Sequence, residues 1–260
     1  MKEFGLIVQG VVAALYVVAA VLLLLRARTG GHLLAVRLAL AGCVAHAALM
    51  AYRWWVIGQI PIVTRYEDLT VDALTMVAVY LAAQWRLPQL RRAGVVPLVV
   101  SAGALAWAMF FSRVSVPFDP SLRTNWLIIH AQLNSFALGG GALAAGAAML
   151  MLRDKQPSNE LSAITGRVTG WAFFLWAAMV AAGSYWASLA WGRYWGWDPI
   201  ENWSFATITS YAFVLHLHVK AKWRGRAWAA VALLPFAISL FTTYGLLMVM
   251  SSLHSQYVFQ

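Results

Sequence analysis

Six histidines and one crowded aromatic stretch carry what chemistry this chain can do. The histidines are His32, His46, His130, His216, His218 and His254. The stretch runs from Trp191 to Phe205 and holds Trp191, Trp195, Trp197 and Trp203 with Tyr194, Arg193, Asp198, Pro199 and Glu201. A neutral imidazole is the commonest protein ligand for a metal, and ionisable groups inside a bilayer are costly enough to be functional as a rule. Aromatic rings gather at a membrane surface as a belt. A belt accounts for one or two rings, not for five interleaved with glycine and charge. No Ser-His-Asp arrangement, phosphate loop or zinc spacing is present. Cys43 is the single cysteine, which excludes an internal disulfide and any Cys-x-x-Cys pair.

The elements that must position these residues are membrane helices. Of 260 residues, 62% are hydrophobic and 11% charged, against about 25% charged in a soluble domain. A bilayer core of about 30 Å takes about 20 apolar residues of helix. Eight segments qualify: 5–26, 33–52, 69–86, 93–112, 125–152, 168–190, 203–219 and 227–250. Asp72 makes the third the weakest. The connections are short, so an all-α integral membrane protein is predicted, a single bundle and a single domain over 1–260. The first apolar run lacks a good cleavage site, and no cleavable signal peptide is expected. Gly139–Gly141 with Ala144–Ala147 makes the fifth span narrow, which reads as close helix packing.

Orientation follows from the basic residues. One set of loops carries twelve Lys and Arg, among them Arg91, Arg92, Lys155 and Lys222, and the other set six. The richer set is placed in the cytoplasm. Both termini and the tryptophan-rich loop then face outward. This asymmetry explains most of the net charge of +10 without nucleic acid as a partner.

On that topology His130 lies about one and a half turns into the outer end of the fifth span, and His254 just past the outer end of the eighth. Together they can ligate the two faces of a haem iron above a floor of indoles. His216 lies roughly 20 Å deeper than Trp203. His218 points to another face near Lys220, and His32 reads as a boundary residue. His46 lies within the second span and is a weaker ligand candidate. Any one histidine alone reads as a hydrogen-bonded packing residue. Arg53 and Arg65, beside Tyr66-Glu67-Asp68, suit carboxylates such as haem propionates or an ordinary solvated loop. Asp198 before Pro199 fits a helix cap or, with Glu201, an acid.

Trp191-Gly192-x-Tyr194-Trp195-x-Trp197-Asp198-Pro199-x-Glu201-Asn202-Trp203 resembles the tryptophan-rich (WWD) signature of the haem-handling proteins of cytochrome c maturation. Within them the chain resembles the CcsA (ResC-like) subunits of the system II synthase. Asn125 to His130, Leu215-His216 and Ser252-Leu253-His254-Ser255 carry the resemblance further, as do Arg53-Trp54 through Pro61 and Tyr66-Glu67. It runs from about residue 52 to the C-terminus.

The resemblance implies a haem lyase subunit handling haem b in a bacterial cytoplasmic or a thylakoid membrane. His216 would be an axial ligand for haem entering from the membrane, with a separate CcsB/ResB-like subunit supplying the other. His130 and His254 would hold the iron at the outer, catalytic site. Trp191, Trp195, Trp197, Asp198 and Trp203 would hold the macrocycle there. Apocytochrome c, through its Cys-x-x-Cys-His motif, would be the acceptor, and a thioredoxin-like reductant a further partner. Two alternatives stay open: a CcmC-like haem carrier, which should lack His216, and a HemX-like regulatory membrane protein.

Overall fold

The computed structural model describes residues 2–25, 32–117 and 124–250. Every regular element among them is helical. They fall into two compact units, divided between Val116 and Pro117.

The first unit contains α1 (Lys2–Leu25), α2 (His32–Ile57), α3 (Arg65–Arg86), a 3-10 turn (Pro88–Gly94) and α4 (Val95–Ala108). Helix α1 packs on α2 and α4, and α3 packs on α4. Its surface is inverted relative to a soluble protein: Ile7, Val11, Leu33 and Val44 face outward, while Gln9, His46, Glu67 and Asp72 are buried. That is the pattern of a helix bundle solvated by lipid.

The buried polar groups are tied together. Thr64 caps α3, with Glu67 completing a capping box, and Arg53 meets Glu67 at 2.6 Å. The Arg53 and Arg113 guanidinium groups lie 4.9 and 5.2 Å from the Tyr66 ring centre. The Tyr66 hydroxyl donates to Gln9 Oε1 at 3.0 Å, and Gln9 Nε2 donates to the Leu105 carbonyl at 2.8 Å. Burial raises the Tyr66 phenol pKa, against the pull of the two arginines. Arg65 pairs with Asp68 at 2.9 Å. Arg53 and Arg65 therefore both spend their charge on carboxylates of their own unit.

The second unit contains α5 (Asn125–Arg153), α6 (Asn159–Trp191), α7 (Pro199–Val219), α8 (Gly225–Val231), α9 (Leu234–Leu240), a π-helical turn (Phe241–Gly245) and α10 (Leu246–Val249). Helix α5 is its axis: every residue from Ala137 to Ala148 is buried. The small residues thus serve more than one neighbour, since α5 packs against α6, α8 and α9. A Cβ on Gly140 would lie 3.4 Å from the Ala172 backbone of α6, and one on Gly141 only 2.5 Å from the Tyr211 hydroxyl of α7.

The eighth predicted segment, 227–250, is not one regular helix. Pro235 cannot donate a backbone hydrogen bond and closes α8 off from α9. The π turn then interrupts the ladder a second time. Six helical stretches among the described residues are long and apolar enough to cross a bilayer: 5–25, 32–57, 88–108, 125–153, 159–191 and 225–245. The third and seventh predicted segments fall inside α3 and α7, whose polar residues, Asp72 and Glu201 among them, dilute their hydropathy.

Candidate functional site

His130 sits in the second turn of α5, which is capped by Thr124 through the Leu127 amide. Its Nδ1 lies 3.0 Å from the carbonyl oxygen of Met179 in α6. A carbonyl only accepts, so Nδ1 carries a proton; in the neutral ring Nε2 then keeps the lone pair, the arrangement of a metal-ligating histidine. Space for the ring comes from Gly183, where a Cβ would lie 2.6 Å from both Cε1 and Nδ1. The Trp186 ring lies nearly parallel to the imidazole, 10° between planes and 6.1 Å between centres. Trp186 in turn meets Trp191 edge to face at 4.9 Å.

Beside His130 lies a small cavity of about 40 Å³, lined also by Gly183, Ser184, Tyr194, Trp195 and Glu201. Pockets that enclose a ligand are about 300–1,000 Å³. This one admits water, and a haem would have to lie across its mouth.

The tryptophan-rich loop begins where α6 stops at Gly192, in the left-handed conformation with φ 72°. Ser184 of α6 donates to the Tyr194 carbonyl at 2.7 Å, tying the loop back onto the helix. The loop ends at a capping box. Asp198 accepts from the Ile200 amide at 2.9 Å, and Glu201 Oε2 accepts from Gly196 and Asp198 amides at 2.7 and 3.0 Å. With Pro199 in the first turn of α7, these contacts launch α7 in a fixed direction, worth about 1 kcal/mol for the cap alone. Asp198 and Glu201 are thereby occupied as structural acceptors.

Trp197 has no such structural excuse. Its φ is 58°, and the residue is 72% exposed. A left-handed residue without the freedom of glycine costs about 1–2 kcal/mol. Backbone strain of this kind gathers at ligand-binding and active sites. Asn202 holds the conformation by donating to the Trp197 carbonyl at 3.0 Å. Trp195 and Trp197 meet at 87° with centres 6.1 Å apart. They form a corner rather than a flat floor, as ring quadrupoles favour. Trp203 faces the other way, edge to face with Phe241 of the π turn at 4.6 Å. Its carbonyl accepts from Thr207 at 2.8 Å and from Thr242 at 3.3 Å.

His216 is exposed on α7, two residues from a buried neighbour. That neighbour, His218, is a packing residue: its ring lies 4.1 Å from Trp228, and a Cβ on Gly166 would meet its Nε2 at 2.6 Å. Arg224 hydrogen-bonds to the His218 carbonyl. His46 belongs to the first unit, fully buried with Nδ1 3.3 Å from the Tyr16 hydroxyl. His254 lies outside the described residues.

The structure thus brings His130 together with Trp195, and brackets them with Trp191 and Trp197. Met179, Gly183 and Trp186 are the residues that motif reading missed. Their spacing of four and three places them on one helical face, which was the available signal. Trp186 also precedes the dense stretch by only five residues.

A family model described as cytochrome C assembly protein matches residues 39–254. The cytochrome c biogenesis protein CcsA of Microcystis aeruginosa is 29% identical, over 80% of this chain and 83% of its own length. That of Chlamydomonas reinhardtii is 28% identical, over 80% of this chain and 64% of its own. Among solved structures the fold is similar to that of the cytochrome c heme lyase CcmF. The TM-score is 0.73 at 19% identity, covering 93% of this chain and 46% of the longer CcmF chain. The matched stretch takes in α3 to α10 entire, with His130, the tryptophan-rich loop and His216, and the chain belongs to the cytochrome c assembly protein family, whose work is cytochrome c biogenesis.

Proposed function

We propose that this chain is the CcsA-like half of a system II haem lyase. In this reading it passes haem b through the membrane and supports its covalent attachment to apocytochrome c at the outer surface. The observation that carries the reading is the His130 imidazole, with Nδ1–H committed to the Met179 carbonyl. Such an imidazole presents Nε2 as a lone-pair donor beside a loop that keeps Trp197 strained and exposed.

Haem is substrate here, and supplies the two vinyl groups to which the Cys-x-x-Cys thiols add. Each thiol S–H adds across one vinyl double bond, the sulfur to one carbon and the proton to the other, with no net oxidation. The chain's own task is positioning. His130 and His254 would hold the iron, Trp195 and Trp197 would border the macrocycle, and Trp191 would support Trp186 behind His130. Asp198 would act by setting the loop, and Trp203 by anchoring it to the last span. The exposed side chain of His216 suits a ligand shared with haem held against a second subunit, for which a CcsB/ResB-like chain is the candidate. The eight-span topology, with both termini and the loop outward, completes the proposal.

The test is co-expression with a ResB-like partner and a c-type reporter. Covalent haem on the reporter is expected, and its loss in His130→Ala and His254→Ala. His216→Ala is expected to deplete haem from the purified chain. Haem bound by the chain without thioether formation on the reporter would select the carrier reading instead.

A further inference from the structure

We propose that a notch in α6 sets the tautomer and the ring plane of His130, which makes Gly183 and Trp186 positioning residues for the outer iron ligand. The inference rests on the reading of His130 as an iron ligand.

The Met179 carbonyl forms the floor of the notch. Inside a helix that carbonyl already accepts the amide of the residue four positions on, which is Gly183. A second donor reaches it only by lying in the groove over Gly183. The imidazole does so, at 3.0 Å from the carbonyl. Any side chain at 183 would close the groove, since a Cβ would stand 2.6 Å from Nδ1. The ring could yield only by turning about its own side-chain bonds, which would carry Nδ1 away from the carbonyl.

Glycine is otherwise a poor choice there, costing roughly 0.5–1 kcal/mol against alanine in a helix interior. Along α6 glycine is required only where a neighbouring ring enters the groove, as His218 does at Gly166 and His130 at Gly183. At Gly170 in the same helix a Cβ would meet nothing within 4 Å. The second wall is Trp186, 4% exposed, whose ring lies 10° from the imidazole plane. Together the carbonyl fixes which nitrogen is protonated and the indole fixes how the ring is turned. A carbonyl accepting the distal N–H also makes the ligating nitrogen more basic. Partners of this kind are worth about 10–100-fold in metal affinity or activity.

The experiment uses the full chain co-expressed with its ResB-like partner and purified with endogenous haem, read by visible and electron paramagnetic resonance spectra. His130→Ala is measured first, with and without added imidazole. Loss of the low-spin signal and its return with imidazole are expected. An unchanged spectrum would remove His130 as a ligand, and the notch with it. Gly183→Ala is then expected to lower haem retention about 10-fold or more and to regain the low-spin signal with imidazole. Gly170→Ala is expected to match the parent. Trp186→Phe, a gentler change should Gly183→Ala fail to accumulate, is expected to keep haem but shift the low-spin g-values. Parental spectra and retention in Gly183→Ala would overturn the proposal. So would parental g-values in Trp186→Phe.

Discussion

Trp197 is the residue at which the proposed function and the local backbone preference pull apart. It occupies a left-handed backbone conformation, exposed, with an indole that buries little. Trp197→Gly is expected to leave thermal stability in detergent unchanged, or to raise it by up to about 1 kcal/mol. Relief of the left-handed strain is set against the greater freedom of glycine in the unfolded chain. Covalent haem on a reporter cytochrome is expected to fall in the same variant. A variant both less stable and fully active would show that the indole packs rather than binds. At this scale the sequence was legible where spacing carries meaning. Asp198 before Pro199 reads as a helix cap, and it forms one, with Glu201 completing a capping box instead of standing as an acid. His130 was legible as a candidate, but its tautomer was not. The determinant is the carbonyl of Met179, 49 residues away.

At the scale of elements, α5 is the case where composition pointed to packing and the structure enlarged it. Triglycine and alanine runs mark close approach on one side of a helix. Burial of all of Ala137–Ala148 reveals an axis with neighbours on every side. Gly141→Ala is expected to destabilise the second unit by about 1–3 kcal/mol, because the new methyl meets the Tyr211 hydroxyl and Phe236. Gly170→Ala is expected to stabilise by about 0.5–1 kcal/mol, because open space surrounds it. Thermal unfolding of both purified variants checks the pair. The buried Arg53–Glu67 bridge shows what hydropathy cannot read. Arg53, which suggested a solvated loop or a grip on a ligand carboxylate, is paired with Glu67 inside the first unit. The break of α8 from α9 was equally open to view in Pro235, yet the apolar run around it suggested continuity.

At the scale of the molecule, the apolar runs locate α1 to α7, with ends within about five residues of those observed except at α6, whose polar first turns carry it back to Asn159. What periodicity could not supply was the division at Val116–Pro117, because apolar content does not distinguish lipid from protein as the neighbour. The orientation can be checked by labelling single cysteines with a membrane-impermeant maleimide after Cys43→Ser. Tyr194→Cys is expected to react from outside intact cells and Lys222→Cys only after lysis. The reverse pattern would invert the topology and move the proposed haem site to the cytoplasm. One feature of the last span bears on the chain beyond it. The π turn at Phe241–Gly245 admits one more residue than an α-helical turn holds. Each added residue advances a helix azimuth by about 100°. This quirk therefore works like an indexing notch on a shaft. It is seated against Trp203 by Phe241 and sets the compass bearing of Leu246–Val249, the stub from which the sequence goes on to His254. Removing a single residue at 241–245 would swing that stub by more than a quarter turn, with every downstream side chain still intact.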